Sequence, residues 1–201
     1  MNDLKKAEEL FMNSIEVKQA TLKSDQLQVL VDLAVEISDR IREGGKVLFC
    51  GNGGSAADAQ HLAAELLVRL RPHVNREGIP AIALAMDSST MTACANDFSY
   101  EDLYSRMVET LGKPEDVIIG ITTSGRSENV IRALRSSKKK GMLALGFLGC
   151  GGGPALEECD GAFVVPSDST GRIQECHITA GHCLMELIED NLMKSGYVKS
   201  L

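Results

Sequence analysis

Tryptophan is absent from the 201-residue sequence, and aromatic residues make up only 4% of it. Base-stacking platforms for single-stranded nucleic acid need exposed aromatic faces and are therefore not expected. Positive charge is also in deficit: 21 Lys and Arg against 28 Asp and Glu leave a net charge of −7 and a pI near 5.2. Generic binding to nucleic acid or to an anionic membrane runs on excess Lys and Arg, so neither a membrane nor direct nucleic-acid contact is expected. No run of apolar residues approaches the roughly 18 that a membrane span requires. The opening stretch, MNDLKKAEELFMNSIEVKQATL, carries charges throughout and lacks the apolar centre of an export signal. The six cysteines, at positions 50, 94, 150, 159, 176 and 183, contain no C-x-x-C pair and read as reduced thiols of a cytoplasmic protein. No internal repeat, linker or low-complexity tract interrupts the chain.

Glycine, by contrast, is plentiful at 19, and its placement is informative. The first forty-odd residues are helical by pattern. Leu4, Ala7, Leu10, Phe11, Ile15 and Val17 form one apolar stripe; Leu27, Leu30, Leu33, Ala34, Ile37 and Ile41 form a second. Ser24-Asp25 offers a cap between them and Gly44-Gly45 a stop. Residues 1–44 are thus expected as an N-terminal helical region, followed by a single domain over 45–201. In that domain short apolar runs (46–50, 80–85, 117–121, 142–147 and 162–165) alternate with helical stretches, among them 100–111 and a closing helix over about 173–193. The alternation predicts an α/β fold: five parallel strands in a central sheet with helices on both faces.

Two loops at the carboxyl edge of that sheet are candidate anion cradles. Gly51-Asn52-Gly53-Gly54-Ser55 leaves backbone N–H groups open to an anion at the start of a helix. A tight turn with a serine cap is the plainer reading of the same residues. The relaxed G-x-G-x-x-G/A pattern is present, but a dinucleotide site wants an acidic residue about 20 positions on. The next strand ends near Asp87, 36 positions from Gly51. No Gly-Lys-Ser/Thr occurs, which excludes a Walker A loop. Thr122-Thr123-Ser124-Gly125-Arg126-Ser127 is the second cradle, rich in neutral hydroxyl donors. One such loop is weak evidence; two at one sheet edge point to a phosphorylated small molecule.

His61 and Glu65 lie four apart and share a helix face. Gln174 and His182 lie eight apart, about 80° around the helix axis from each other. Two imidazoles, a carboxylate and an amide oxygen suit a divalent ion such as zinc, although an H-x-x-x-E pair is also a common surface ion pair. His73 sits in a polar loop, and His177 is assigned to packing or an interface. Arg69, one turn beyond Glu65, is either a closing arm over a polyol chain or an exposed partner of Glu65.

GNGGSAADAQH (51–61), TTSGRSENVI (122–131) and STGRIQECH (169–177) together resemble, in that order, the sugar isomerase (SIS) domain family, and the third segment resembles its phosphoheptose isomerase branch over essentially the whole chain. The resemblance implies a three-layer SIS-type fold and conversion of sedoheptulose 7-phosphate to D-glycero-D-manno-heptose 7-phosphate through an enediol, the first step of nucleotide-activated heptose biosynthesis. It implies Glu65 and His182 as the proton-transfer pair, and zinc on His61, Glu65, Gln174 and His182. Asn52, Gly53, Gly54, Ser55, Glu65, Thr122, Thr123, Ser124, Ser127 and Gln174 match the family's phosphate and substrate contacts, and Asn96-Asp97 a sugar-binding pair. It further implies a cytoplasmic homotetramer whose sites lie between subunits, with Glu65 and His182 of one site drawn from different chains. The same family holds an alternative, a non-catalytic tetrameric adaptor of the bacterial replication initiator; the positions matching Glu65 and His182 are not Glu and His there, which favours the enzyme.

Overall fold

The computed structural model describes residues 2–84 and 86–201, so Met1 and Ala85, the last residue of the expected second strand, lie outside the described residues. Two helices open the chain. α1 (Asp3–Leu22) is capped by Asn2, whose side chain accepts a hydrogen bond from the Leu4 N–H. In the turn before α2 (Gln26–Arg42) it is Ser24, rather than Asp25, that accepts from the Gln26 N–H. Gly44 and Gly45 then donate back to Ile41 and Arg40 and end the helix. α2 buries Leu30, Leu33, Ala34, Ile37 and Ile41 against the sheet. Each of its Leu and Ile side chains contributes about 2 kcal/mol by leaving water. The α1 stripe behaves differently: Phe11 stays 74% and Leu4 64% exposed.

The remainder alternates β1 (Val47–Gly51), α3 (Gly54–Ala64), β2 (Ala81–Ala83), α4 (Ser88–Asp97), α5 (Leu103–Leu111), β3 (Val117–Thr122), α6 (Glu128–Lys139), β4 (Leu143–Leu148), α7 (Gly153–Glu157), β5 (Gly161–Val164) and α8 (Thr170–Lys194). The five strands form one parallel sheet in the order β2-β1-β3-β4-β5. Alternate strand residues face opposite layers. Val47, Phe49, Ile119, Leu145 and Phe147 pack under α2, α3 and α8. Leu48, Cys50, Ile118 and Ala144 pack under α5 and α6. This is the expected three-layer α/β arrangement.

Three local departures matter. Gly149–Gly153 is not a plain loop: a 3-10 turn at Cys150–Gly152 leads straight into α7. Residues 88–97 form α4, capped by Asp87 accepting from the Thr90 N–H. The helix after β1 does not run evenly to Leu70, because Glu65–Arg69 is wound as a π-helical turn. Among the described residues no helix is long and apolar enough to cross a membrane.

Strand order reverses direction between β1 and β3, since the chain moves outward on one side to β2 and on the other to β4 and β5. The loops leaving the carboxyl ends of two such strands diverge and open a crevice. Those loops are the two glycine- and hydroxyl-rich segments.

Candidate active site

The crevice holds a cavity of about 340 Å³ lined by Asn52, Gly53, Gly54 and Ser55 from the first loop, Ile121, Thr122, Thr123 and Ser127 from the second, and Thr170 and Gln174 from α8. Three helix starts meet here: Gly54 opens α3, Ser127 precedes α6 and Thr170 opens α8. Their first N–H groups lack helical partners, and the helix dipoles place partial positive charge at the same point. No lining residue is charged. An anion bound here would meet backbone N–H, hydroxyl and side-chain amide donors and no full positive charge.

The two loops are stitched together by side chains. Asn52 and Asn129 exchange amide hydrogen bonds, each 2.8 Å long, and the Tyr100 hydroxyl donates to the same Asn52 oxygen at 2.9 Å. Thr122 and Ser127 share a hydroxyl contact of 3.0 Å, while Ser124 lies 3.5 Å from Thr122 and accepts from the Arg126 N–H. One glycine is required sterically, whereas a Cβ at Gly54 would meet only the movable end of the Gln174 side chain, 2.6 Å from its amide nitrogen. Gly125, at φ +66°, lies under the α7 entrance, where a Cβ would come within 2.0 Å of the Gly152 carbonyl oxygen.

Further along the helices that wall the cavity, His61 of α3, Glu65 of the π turn that follows it and His182 of α8 come together with their donor atoms all within 4.8 Å of one another. His61 Nε2 lies 2.7 Å from His182 Nε2 and 3.2 Å from Glu65 Oε1. Two imidazole nitrogens so close need a proton between them, or a cation that both coordinate. These contacts form within one chain. That corrects the expectation that Glu65 and His182 come together from different subunits: Glu65 stands in the π turn that follows α3, and His182 on α8, which packs against both.

The remaining candidates fall where the fold takes them. Gln174 stands in the cavity wall against Gly54. Asn96 and Asp97 are exposed at the end of α4, bonded to each other at 2.8 Å, and do not line this cavity. His73 is exposed, as its polar loop suggested. His177 is a core residue: its Nε2 lies 3.0 Å from the Leu148 carbonyl oxygen, its ring packs on Phe147, and burial pushes its pKa down to about 4. Glu65 pairs with His61, not with the exposed Arg69.

Asp58 is a participant that the sequence reading passes over. It lies one turn before His61, and its Oδ2 is shielded from solvent without a hydrogen-bond partner. Burial raises its pKa, and the His61 and His182 imidazoles pull it back. The signal was available, since Asp58, His61 and Glu65 at i, i+3 and i+7 share one helix face.

Comparison with known proteins identifies the family and the fold. The SIS domain sequence profile matches residues 10–149. The phosphoheptose isomerase of Roseiflexus sp. is 48% identical over 181 residues, 90% of each chain. Among solved structures, a phosphoheptose isomerase from Neisseria gonorrhoeae superposes with a TM-score of 0.87 at 35% identity, covering 93% of this chain and 98% of that one. One from Francisella tularensis gives a TM-score of 0.89 at 34% identity, covering 94% of this chain and all of that one.

Proposed function

Because the chain belongs to the SIS domain family, and within it to the phosphoheptose isomerases, we propose that the uncharged cavity and the His61–Glu65–His182 cluster act together on one phosphorylated seven-carbon sugar. The reaction is the aldose–ketose conversion of D-sedoheptulose 7-phosphate to D-glycero-D-manno-heptose 7-phosphate. The observation that carries the reading is that two helices whose starts face the cavity, α3 and α8, also carry His61 and His182 of the cluster. A phosphate held at those helix starts leaves the far end of the sugar to run along the two helices toward the carboxylate and imidazoles.

Isomerisation requires a base to take the proton alpha to the carbonyl and an acid to protonate the carbonyl oxygen, giving an enediol that collapses the other way. Glu65 serves as the base and His182 as the acid. Asn52, Gly53, Gly54, Ser55, Thr122, Thr123, Ser124 and Ser127 hold the phosphate end, and Gln174 bridges that end to the reacting carbons. Asn96 and Asp97 serve as sugar contacts.

The donor set of two imidazole nitrogens and one carboxylate oxygen is the kind zinc takes in catalytic sites with three protein ligands. His61, Glu65 and His182, with Gln174, would hold such an ion, which supplies Lewis-acid polarisation of the sugar's oxygens when bound. The exposed α1 and α2 residues Leu4, Phe11, Ile15, Val31 and Val35 are the surface through which the protein assembles as a homotetramer. A cytoplasmic setting belongs to the same reading and accords with six unpaired cysteines. The adaptor alternative is not favoured.

The test is turnover. Protein supplied with zinc should convert sedoheptulose 7-phosphate to the aldoheptose phosphate, and Glu65→Gln should lower kcat at least about a thousandfold while leaving the protein folded. Absence of turnover by the unaltered protein would sink the proposal.

A further inference from the structure

Among the described residues Arg76 is the only buried cation of the chain, and its surroundings tie it to Glu65. It lies in the connection between the π-helical turn and β2, only 4% exposed. Its Nη2 donates to the Glu65 carbonyl at 2.9 Å, and its Nη1 donates to the Leu66 carbonyl at 2.9 Å. The Leu66 carbonyl also accepts from the Ile79 N–H, so this part of the turn is held from outside the helix. Nη1 also donates to the Glu77 carbonyl at 2.9 Å, and Nε makes a 2.5 Å contact to Glu189 Oε2, with Glu189 itself 2% exposed. Arg71 occupies the other Glu189 oxygen at 2.6 Å and reaches Asp190 as well, but it touches neither Glu65 nor Leu66.

A buried ion pair is an expensive way to join two helices, because apolar side chains of similar size do so without desolvating charge. Its geometry here is that of a strut. Glu189 sits seven residues beyond His182 on α8, hence on the same helix face. One guanidinium thus links the backbone of Glu65 to the helix that carries His182. It also braces a π turn, a rare winding found frequently at functional sites. Only the planar fork of arginine spans two adjacent carbonyls and a carboxylate at once; an ammonium is a point charge.

We propose that Arg76, clamped by Glu189, is a positioning residue for the isomerisation: it holds the π turn so that the Glu65 carboxylate is presented to His61 and His182. The inference rests on the isomerase reading for its kinetic consequence and on geometry alone for its structural one.

Arg76→Lys, Glu189→Gln and, as a control within the same ionic network, Arg71→Met test it. Each is measured for thermal unfolding, for kcat and KM with sedoheptulose 7-phosphate, and for the imidazole ¹⁵N resonances of His61 and His182. Arg76→Lys and Glu189→Gln should each lose at least tenfold in kcat with KM within about twofold of the parent. They should also shift the His61 and His182 resonances. Arg71→Met should lower the unfolding temperature while leaving kcat and both resonances in place. Unshifted resonances in a folded Arg76→Lys or Glu189→Gln protein overturn the inference, and so does a kcat within twofold of the parent. Should Arg76→Lys fail to fold, Glu189→Gln decides alone. If the unaltered protein shows no turnover, the isomerase reading fails by itself and the resonances still judge the strut.

Discussion

At the scale of single residues, the chemistry depends on a few side chains whose surroundings differ sharply. His61 and His182 face each other beside the cavity, whereas His177 is sealed in the core with its pKa pushed down to about 4 by burial. The sign of the consequence follows from linkage. Below the ordinary histidine value of 6.5 the unfolded chain takes up a proton that the folded chain refuses, so stability falls as pH drops from 6.5 toward 4 and levels off below that. The loss is on the order of 3 kcal/mol. His177→Phe removes the titrating group and keeps an aromatic ring against Phe147, and the Leu148 carbonyl retains its bond from the Val165 N–H. Denaturant unfolding across that window should show a shallower pH dependence in the variant; parallel profiles would refute the assignment. The sequence made His61, Glu65 and His182 candidates through spacing and resemblance, but no spacing rule joins residues 121 positions apart. Asp58 and Arg76 were harder still. One looks like any helix-surface acid, and the other like any loop cation, until burial is known.

At the scale of elements, the sheet was legible because each strand is a short apolar run bounded by glycine or charge. α4 was not, because SSTMTACAND buries only Cys94 and so carries no apolar stripe; its one clue is the Asp87 cap. α7 spans five residues and opens on glycine, too short for any periodicity to register. The expected loops fell at the switch point between β1 and β3, yet their mutual locking through Asn52 and Asn129 was invisible in sequence. That lock makes a prediction. Asn129→Leu leaves the Asn52 amide without its partner, so the first loop loses its fixed geometry, and KM for the phosphosugar should rise about tenfold with little change in kcat. A kcat loss at constant KM would instead place Asn129 in the proton-transfer step. For α1, Phe11 and Ile15 are exposed, and the proposed homotetramer would assemble through them. Phe11→Glu with Ile15→Glu should convert a tetramer to smaller species in sedimentation; an unchanged mass would show that α1 is not the contact.

At the scale of the whole molecule, a net charge of −7 and a phosphorylated substrate are at odds over long range. Binding in the cavity, as proposed, resolves this locally, because its donors are backbone N–H groups, hydroxyls and side-chain amides with no Lys or Arg among them. Attraction of that kind acts at contact and is little affected by salt, while the protein's overall repulsion is screened by it. KM for the phosphosugar should therefore stay level or fall modestly as ionic strength rises from about 0.01 M to 0.15 M. A steep rise would show that steering cations dominate binding.

In the proposed reaction Glu65 and His182, which meet within one chain, move a proton between adjacent sugar carbons. Turnover of sedoheptulose 7-phosphate in D₂O, followed by NMR, tests it most directly. The unaltered protein should give an aldoheptose phosphate whose C2 hydrogen comes from C1 of the substrate, replaced by solvent deuterium to the extent that the proton exchanges while held on Glu65, and Glu65→Gln should give no product. Unabated turnover by Glu65→Gln would refute the assignment.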